Sequence, residues 1–288
     1  GKYMKGWDVL RQERYERMVG MGLIDKSWSL SKRDPQASAW EELDEEQKVK
    51  MDLLMAIYAA QIDRMDQGIG KVLQQVEDMG QTDNTLIFFL SDNGGSEEYG
   101  PFGTDFWGNF WDGEARPGSG DSYHSYGGSW ANLSNTPYRL YKKRVHEGGI
   151  ATPLIVKWPD GVLEKGSICH EPGHIIDIMA TICEVANVEY PETYKGNEIT
   201  PLPGQSLAGL LKGEEQNGTD PIFWEHIGNR AIRQGDWKLV AKEGEDWELY
   251  NLATDRSETE NLIEQEPQRA VQMQETYEKW ASEVGVRE

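Results

Sequence analysis

Apolar residues at helical spacing predict two helices in the first eighty residues. Residues 5–21 carry apolar side chains in steps of mostly three, which predicts a helix that ends at Gly20 or Gly22. From Asp44 the pattern becomes a long amphipathic helix, with Gly80 well placed as its C-cap. The predicted buried face of this second helix consists of Met51, Leu54, Tyr58, Ile62, Met65, Ile69, Val72 and Val76.

Two short, uninterrupted apolar runs then predict strands, at residues 85–90 and 152–157. Such runs are typical of strands that are covered on both faces in a parallel sheet. The segment His174–Ala186 predicts a helix, because its apolar residues again follow helical spacing. Helices that alternate with buried strands predict an α/β fold. The residues expected to point inward from the third helix are Ile175, Ile178, Met179, Ile182 and Val185.

The pattern changes after Leu211 to short runs at hairpin spacing, with Gly235-Asp236 as a turn between two of them. A last helix is predicted with Pro267 in its first turn. We therefore predict an α/β domain over 1–211, a linker over 212–220 and a small C-terminal α+β domain over 221–288. The strands predicted in the last domain are Pro221–His226, Arg230–Gln234, Trp237–Val240 and Glu248–Asn251.

The first predicted strand ends on oxygen ligands, because Asp92, Asn93, Gly94 and Gly95 follow it directly. Ligands of open α/β sheets bind beyond the carboxyl ends of the strands. A carboxylate and a carboxamide oxygen suit a hard cation, Ca²⁺ or Mg²⁺. The same four residues are also an ideal tight-turn sequence, so a metal site and a simple turn both stay open.

A basic segment lies about fifty residues further on. Between Pro137 and Asp160 there are five cations and two anions, although the whole chain has a formal charge of −21. The overall charge argues against nucleic-acid binding, whereas a local basic island attracts small anions. Lys142 could bind the anionic oxygens of an ester, and His146 could act as a general acid or donate a hydrogen bond to the anion. The alternatives are a solvated turn and a core histidine.

Residues 96–135 are rich in Gly, Ser and aromatic residues and have no clear period, which is typical of a functional loop. His124 in this loop is a candidate substrate contact, with an ordinary surface residue as the alternative. The loop's aromatic residues could form a stacking surface for a glycan, which would make the chain a non-catalytic binding module. These residues are Phe102, Phe106, Trp107, Phe110, Trp111 and Trp130.

Neither cysteine has the spacing of a zinc or redox motif. Cys169 and Cys183 are 14 residues apart, and we predict two buried free thiols, although a disulfide stays open. No apolar run approaches the roughly 20 residues of a membrane helix, so no membrane partner is expected.

The two motifs carry a resemblance to a known family. Ser-Asp-Asn-Gly-Gly at 91–95, followed by Lys-x-x-x-His-Glu-Gly-Gly at 142–149, resembles type I sulfatases of the alkaline-phosphatase superfamily, and within them bacterial arylsulfatases. The resemblance implies an alkaline-phosphatase-like sheet with flanking helices, present in part. The stretches that match closely are 2–17, 55–95, 134–159 and 223–261.

The resemblance also implies roles for individual residues. Asp92 and Asn93 match two metal ligands of the family, and Lys142 matches the lysine that contacts the substrate sulfate. The implied metal is Ca²⁺, with Mg²⁺ as the alternative. The family's Cys/Ser-x-Pro-x-Arg motif, whose first residue becomes formylglycine, is absent from this sequence, as are the other metal and histidine motifs of the family. The chain therefore looks like the C-terminal half of a sulfatase, and we expect no turnover from it alone.

The implied activity is hydrolysis of a sulfate ester, either a small molecule or a glycan. The missing N-terminal half is a candidate partner, and the family implies a periplasmic or extracellular location. A phosphonate or phosphodiester hydrolase of the same superfamily is an alternative, as is one half of a nicked or truncated sulfatase.

Overall fold

The computed structural model describes residues 1–105, 116–162, 165–214 and 221–286. Helices and strands are numbered in chain order. The helices are α1 (Gly6–Gly20), α2 (Glu45–Asp78), α3 (Gly127–Ser134), α4 (Glu147–Ile150), α5 (Asp177–Val185), α6 (Ala208–Leu211) and α7 (Pro267–Val284). The strands are β1 (Ile87–Leu90), β2 (Leu154–Lys157), β3 (Thr193–Tyr194), β4 (Asn197–Glu198), β5 (Ile222–His226), β6 (Asn229–Gln234), β7 (Trp237–Ala241) and β8 (Glu248–Asn251).

The chain divides into two compact units. Unit 1 comprises Gly1–Leu73, Leu90–Leu154 and Phe223–Glu288, and unit 2 comprises Gln74–Phe89 and Ile155–Ile222. In the described part of the chain, no helix combines the length and apolarity needed to cross a membrane.

A tryptophan cluster forms the first core of unit 1. Trp7 from α1 meets Trp130 from α3 edge to face, with ring centroids 5.2 Å apart, and Trp40 packs against both. The indole N–H of Trp130 donates to the carbonyl oxygen of Met51 at 2.9 Å, which fixes α3 on α2. Trp130 is fully buried, so its predicted place in a glycan-stacking surface is wrong. Phe102 packs against this core, while Phe106, Trp107, Phe110 and Trp111 lie outside the described residues.

Helix α2 is as long as predicted, but only its first half is buried. Met51, Leu54 and Met55 belong to the tryptophan core. The predicted burial is wrong at Ile62, Met65 and Val72, which are exposed, whereas Ile69 and Val76 are half-buried. The core elements of unit 1 pack on the first turns of α2, which accounts for the change along the helix.

The C-terminal part of unit 1 is a four-stranded sheet in the order β5-β6-β7-β8. β6 and β7 are antiparallel, with Ile232 opposite Leu239, and the pairing closes through the predicted Gly235-Asp236 turn. β8 continues the antiparallel pairing on β7, with Leu249 opposite Leu239. Helix α7 covers one face of the sheet. The buried residues of this contact are Ile232, Leu239, Leu249, Ala270, Met273 and Tyr277.

The opposite face of this sheet packs on the basic segment. Side chains alternate between the faces of a strand, so Val240 and Tyr250 point away from α7, where they meet Val145. The predicted small C-terminal sheet and helix thus exist, but they share a compact unit with residues 137–149. The boundaries of a separate domain over 221–288 stay a prediction, and residues 215–220 of the expected linker lie outside the described residues.

In unit 2, β1 and β2 pair in a two-stranded sheet, and β3 and β4 form a second one. The predicted strands exist. The expectation that both of their faces are buried is wrong, because Phe89 is 42% and Ile155 is 59% exposed. The inward face predicted for α5 is likewise wrong at Met179 and Ile182, which are exposed. Ile175, just before the helix, is also exposed.

Both cysteines of unit 2 are free thiols. Cys169 is exposed, so its predicted burial is wrong, whereas Cys183 is half-buried.

Replacement of Ile232 tests the core between the sheet and α7. Ile232→Ala should lower the free energy of unfolding by about 2–5 kcal/mol, because it leaves a cavity in a fully buried site. Val271→Ala on the exposed side of α7 is the control and should change it by no more than about 0.5 kcal/mol. Urea unfolding followed by tryptophan fluorescence measures both, and equal effects would contradict this packing.

Candidate active site

The site begins with the turn that follows β1. The Asp92 carboxylate is exposed, and Asn93 is half-buried. The Asn93 Nδ2 donates to the carbonyl oxygen of Gly94 at 2.8 Å. The amide of Asn93 is thereby oriented, and its Oδ1 is the atom that remains for a ligand. The Ser91 hydroxyl donates to the carbonyl oxygen of Asn93 at 2.9 Å, which tightens the same turn.

Backbone hydrogen bonds join this turn to the basic segment. The N–H of Gly94 donates to the carbonyl oxygen of Gly149 at 2.9 Å, and the N–H of Lys142 donates to the carbonyl oxygen of Gly95 at 3.0 Å. Both ends of the segment from Lys142 to Gly149 are therefore attached to the turn that carries Asp92. The two motifs, about fifty residues apart in sequence, are neighbours in space.

Asn135 forms a third connection between the same two segments. Its Oδ1 accepts the N–H of Gly95 at 2.7 Å, and its Nδ2 donates to the carbonyl oxygen of Leu140 at 2.8 Å. Because both polar atoms of this nearly buried side chain are used, Asn135 holds the Gly95 turn at a fixed distance from the basic segment. Sequence reasoning missed Asn135, since an asparagine that follows a helix usually indicates only a turn.

Glycine is required at three positions of the two segments, for two different reasons. A Cβ at Gly94 would overlap the carbonyl oxygen of Gly148, so Gly94 is explained by backbone contact between the motifs. A Cβ at Gly148 would overlap the carbonyl oxygens of Arg139 and Leu140, and one at Gly149 would overlap the carbonyl oxygen of Arg144. These two glycines are explained by close packing within the basic segment.

The two adjacent lysines of the basic segment have different surroundings. The Lys143 ammonium forms an ion pair with Glu98 at 2.7 Å. The hydrogen bond from Lys143 lowers the pKa of Glu98. Desolvation of the carboxylate acts in the opposite direction but is the smaller effect. Lys142 is half-buried, and within the described residues no carboxylate lies in ion-pair distance of its ammonium. Lys142 is therefore the lysine whose charge is available to an anion.

His146 does not lie at an accessible surface. Its side chain is fully buried, and its Nε2 lies 2.8 Å from a carboxylate oxygen of Glu248 on β8. Burial alone would raise the pKa of Glu248, but the hydrogen bond from His146 and the charge of Arg139 outweigh burial, so this pKa lies below its ordinary value. This geometry favours a positioning role for His146. The predicted direct role in catalysis stays a prediction.

A buried charge network continues beneath the basic segment. The Lys238 ammonium on β7 lies 2.7 Å from Glu147 and 2.8 Å from Glu258. Glu147 also pairs with Arg256. Burial lowers the pKa of Lys238, and the charge of Glu258 counters part of this effect. Charges without access to water are tolerated only when they are paired, so Lys238 fixes Glu147 at the start of α4.

Arg139 connects the beginning of the basic segment to the same sheet. Its guanidinium donates to the Tyr250 hydroxyl at 2.9 Å and to the carbonyl oxygen of Glu258 at 3.1 Å. Lys238, Glu248 and Tyr250 lie on one face of β7 and β8, as their alternate positions require. A lysine within the apolar run of β7 was the signal in the sequence, but the hairpin interpretation left it unused.

His124 lies elsewhere in unit 1. It forms an isolated β-bridge with Asp105, and its Nε2 is 3.4 Å from the Asp105 carboxylate. Burial lowers the pKa of His124. The side chain is largely buried, so the alternative of an ordinary surface residue is wrong. No contact among the described residues joins His124 to Asp92 or Lys142, and its contact with substrate stays a prediction.

The donor set at the turn fits part of a cation site. Asp92 offers an exposed carboxylate and Asn93 an oriented carboxamide, and these oxygen ligands suit Ca²⁺ and Mg²⁺. Within the described ranges, no group of three or more His, Cys, Asp or Glu side chains converges on one point. Within the described residues, this turn therefore offers two oxygen ligands to a cation.

Comparison with protein families identifies the class of this chain. The sulfatase family model matches residues 26–188, which include the turn at Asp92 and the basic segment. The model for the C-terminal region of N-sulphoglucosamine sulphohydrolase matches residues 137–282. Since the first match spans more than half of the 288 residues, the chain belongs to the sulfatase family.

Individual relatives agree with this assignment. An uncharacterized sulfatase of Schizosaccharomyces pombe is 32% identical over 99% of this chain and 54% of its own length. An arylsulfatase of Klebsiella aerogenes is 30% identical over 73% of this chain and 46% of its own length. The chain thus spans about half the length of the curated relatives that it matches.

Solved structures agree on the fold. The crystal structure of Ps i-CgsB in complex with k-i-k-neocarrahexaose aligns with a TM-score of 0.58 and 21% identity, over 96% of this chain and 54% of that chain. The chain therefore has the alkaline-phosphatase-like fold of the sulfatases, as the sequence motifs predict.

Substitution of Gly94 tests the contact between the two motifs. Gly94→Ala should destabilise the chain by about 1–3 kcal/mol, because the added Cβ meets the backbone carbonyl group of Gly148 rather than a flexible side chain. Gly68→Ala is the control, since a Cβ there meets no atom and α2 favours alanine by roughly 0.5–1 kcal/mol. Chemical denaturation distinguishes the two, and a neutral Gly94→Ala would contradict the contact.

Acid should weaken the contact between His146 and Glu248. The folded pKa of Glu248 lies below the ordinary value of 4.5, so its stabilising contribution is present at neutral pH and is lost as the pH falls from 4.5 through the lower folded value. Glu248→Gln should make stability less dependent on pH in this window. Denaturation midpoints between pH 7 and 3 measure the effect, with the exposed Glu275→Gln as control. Identical acid dependence in both variants would contradict the assignment.

Proposed function

We propose that this chain forms part of the active site of a sulfuric ester hydrolase. Asp92 and Asn93 would hold the divalent cation, and Lys142 would contact the sulfate of the substrate. The observation that carries the proposal is the pair of backbone hydrogen bonds that attach the basic segment to the turn at Asp92. Family membership supports the reaction class, since relatives that match two thirds or more of the chain include an arylsulfatase.

Lys142 has the properties that an anion contact requires. Its backbone is fixed by the hydrogen bond to Gly95, and its ammonium is not neutralised by a carboxylate within the described residues. A preorganised cation stabilises negative charge that develops on a leaving oxygen in the transition state. Lys143 is less suited to this role, because Glu98 neutralises it.

The other components of the site extend this proposal. A divalent cation bound at Asp92 and Asn93 would polarise an oxygen of the sulfate and so make the sulfur more electrophilic. We propose Ca²⁺, with Mg²⁺ as the alternative, because both ligands are oxygen atoms. The nucleophile would be a formylglycine outside this chain, since the chain contains no Cys/Ser-x-Pro-x-Arg sequence. His146 would act indirectly, by orienting the basic segment through Glu248.

The proposed contacts of the cation and of Lys142 are both with the sulfate group of the substrate. We propose a sulfate ester of a small molecule or a glycan, and a site outside the cytoplasm, in line with the family. The organic half of the ester would be selected by residues in the loop that includes His124.

Calcium binding tests the proposed metal ligands. The chain should bind Ca²⁺ with a Kd on the order of 1 mM, because two ligands make a weak site. Asp92→Ala should abolish this binding, whereas Asp66→Ala on the exposed side of α2 should leave it unchanged. Calorimetric titration measures both. Equal binding by the parent chain and the Asp92→Ala variant would contradict the metal assignment.

The same preparations test where the nucleophile resides. With a chromogenic aryl sulfate and saturating Ca²⁺, the chain alone should show no turnover above the buffer rate. Clear hydrolysis by the chain would show that the reaction does not need a formylglycine from another polypeptide segment.

A further inference from the structure

Lys142 and Lys143 are adjacent in sequence, but only one of them is neutralised. Lys143 has a left-handed backbone conformation, with φ 74°, which is uncommon for a residue with a side chain. Its ammonium lies 2.7 Å from the Glu98 carboxylate. The N–H of Lys142 donates to the carbonyl oxygen of Gly95, and among the residues that the structure describes no carboxylate is within ion-pair distance of the Lys142 ammonium. The backbone at Lys143 thus gives the two lysines different surroundings.

Glu98 belongs to the segment that leads away from the turn at Asp92, three residues after Gly95. The Ser96 hydroxyl donates to the Glu98 carboxylate at 3.3 Å, and the N–H of Glu98 donates to the Ser96 hydroxyl oxygen at 3.4 Å. These contacts orient the carboxylate. The ion pair of Glu98 with Lys143 therefore joins the same two segments that the backbone hydrogen bonds join.

The Glu98 carboxylate lies within electrostatic range of both lysines. The hydrogen bond from Lys143 is the main cause of its lowered pKa, and the charge of Lys142 acts in the same direction. The pKa of Lys143 is raised, mainly by its hydrogen bond to Glu98, and the charge of Glu97 adds to this effect. Negative charge at Glu98 therefore influences the electrostatic potential in which Lys142 would receive an anion.

A contribution to stability does not explain this ion pair. The Lys143 and Glu98 side chains are 38% and 30% exposed. Pairs with this much exposure stabilise a fold only slightly, because water screens the attraction and ordering two long side chains costs entropy. The larger consequence is that Glu98 cancels a positive charge next to Lys142.

We propose that Glu98 is a specificity-determining residue, which acts through Lys143. By neutralising Lys143 it leaves one lysine charge available beside the turn at Asp92, and so it favours singly charged sulfate esters over doubly charged phosphate monoesters. A phosphate monoester has close to two negative charges at neutral pH, because its second pKa is about 6. An ester with two charges gains twice as much from each additional cation as an ester with one charge. The inference rests on the proposed function, in which Lys142 contacts the sulfate.

Anion binding to the chain tests this role of Glu98. Methyl sulfate and methyl phosphate, which are similar in shape, are titrated at pH 8 and constant ionic strength. Divalent cations are left out, because the proposal concerns the lysine charges. The magnetic resonance signal of the Lys142 backbone amide measures the two dissociation constants. Glu98→Gln should raise the affinity for methyl phosphate relative to methyl sulfate by about threefold to fivefold, since Lys143 then acts on the anion as a second cation.

Two further variants separate the effect of charge from an effect on structure. Glu13→Gln removes one carboxylate from the exposed ion pair with Lys5 and makes the same change in net charge outside the two motifs. It should leave the ratio of the two affinities unchanged. Glu98→Gln combined with Lys143→Gln removes both charges and should return the ratio to the parent value. Glu98→Gln should keep the parent's urea midpoint, because the ion pair is partly exposed.

The results that contradict this inference differ from those that contradict the proposed function. An unchanged ratio in Glu98→Gln, or the same change in Glu13→Gln, would overturn the inference and leave the proposed function intact. A combined variant that keeps the ratio of Glu98→Gln would do the same, because a structural change would then be the cause. If neither anion affects Lys142 in the parent chain, the proposed anion contact itself is wrong, and the inference falls with it.

Discussion

The site depends on the backbone contact between the turn at Asp92 and the basic segment. The N–H of Gly94 meets the carbonyl oxygen of Gly149, and the N–H of Lys142 meets the carbonyl oxygen of Gly95, so two distant loops share one short stretch of backbone pairing. A side chain at Gly94 would separate the loops, because its Cβ would overlap the carbonyl oxygen of Gly148. Under the proposed function, Asp92 and Lys142 act on one substrate, and this pairing holds their backbones close together.

The C-terminal sheet stabilises the basic segment, which is one side of this contact. Paired charges at Lys238, Glu147 and Glu258 are fully or almost fully buried, where an unpaired charge would cost several kcal/mol. Such a network adds little net stability, but its ion pairs attach the basic segment to β7. We infer that the sheet and α7 serve the site by fixing the position of this segment.

The sequence predicted well which segments form helices and strands, but it predicted poorly which of their faces are buried. The long helix, the strands at β1 and β2, and the hairpin around Gly235 follow from spacing and turn chemistry, which act within a few residues. The burial of α5 and of the second half of α2 was predicted wrongly, because periodicity shows that a face is apolar and not that a partner covers it. The resemblance to sulfatases followed from two motifs, and Gly94 of the first motif is required by contact with the second.

Other features of the site could not be read from the sequence. Asn135 bridges the motifs through both atoms of its amide, and Glu248 contacts His146 across 102 residues of sequence. Neither contact produces a recognisable pattern in the local sequence, because both depend on how distant segments pack together. For the same reason His146 is a plausible acid in sequence but fully buried in the structure.

A crystal structure of the chain soaked with Ca²⁺ and sulfate tests the central claim most directly. The account predicts a cation bound between the oxygens of Asp92 and Asn93 and a sulfate oxygen within hydrogen-bond distance of the Lys142 ammonium. A Lys142 ammonium directed away from the turn, with sulfate bound elsewhere or not at all, would contradict it.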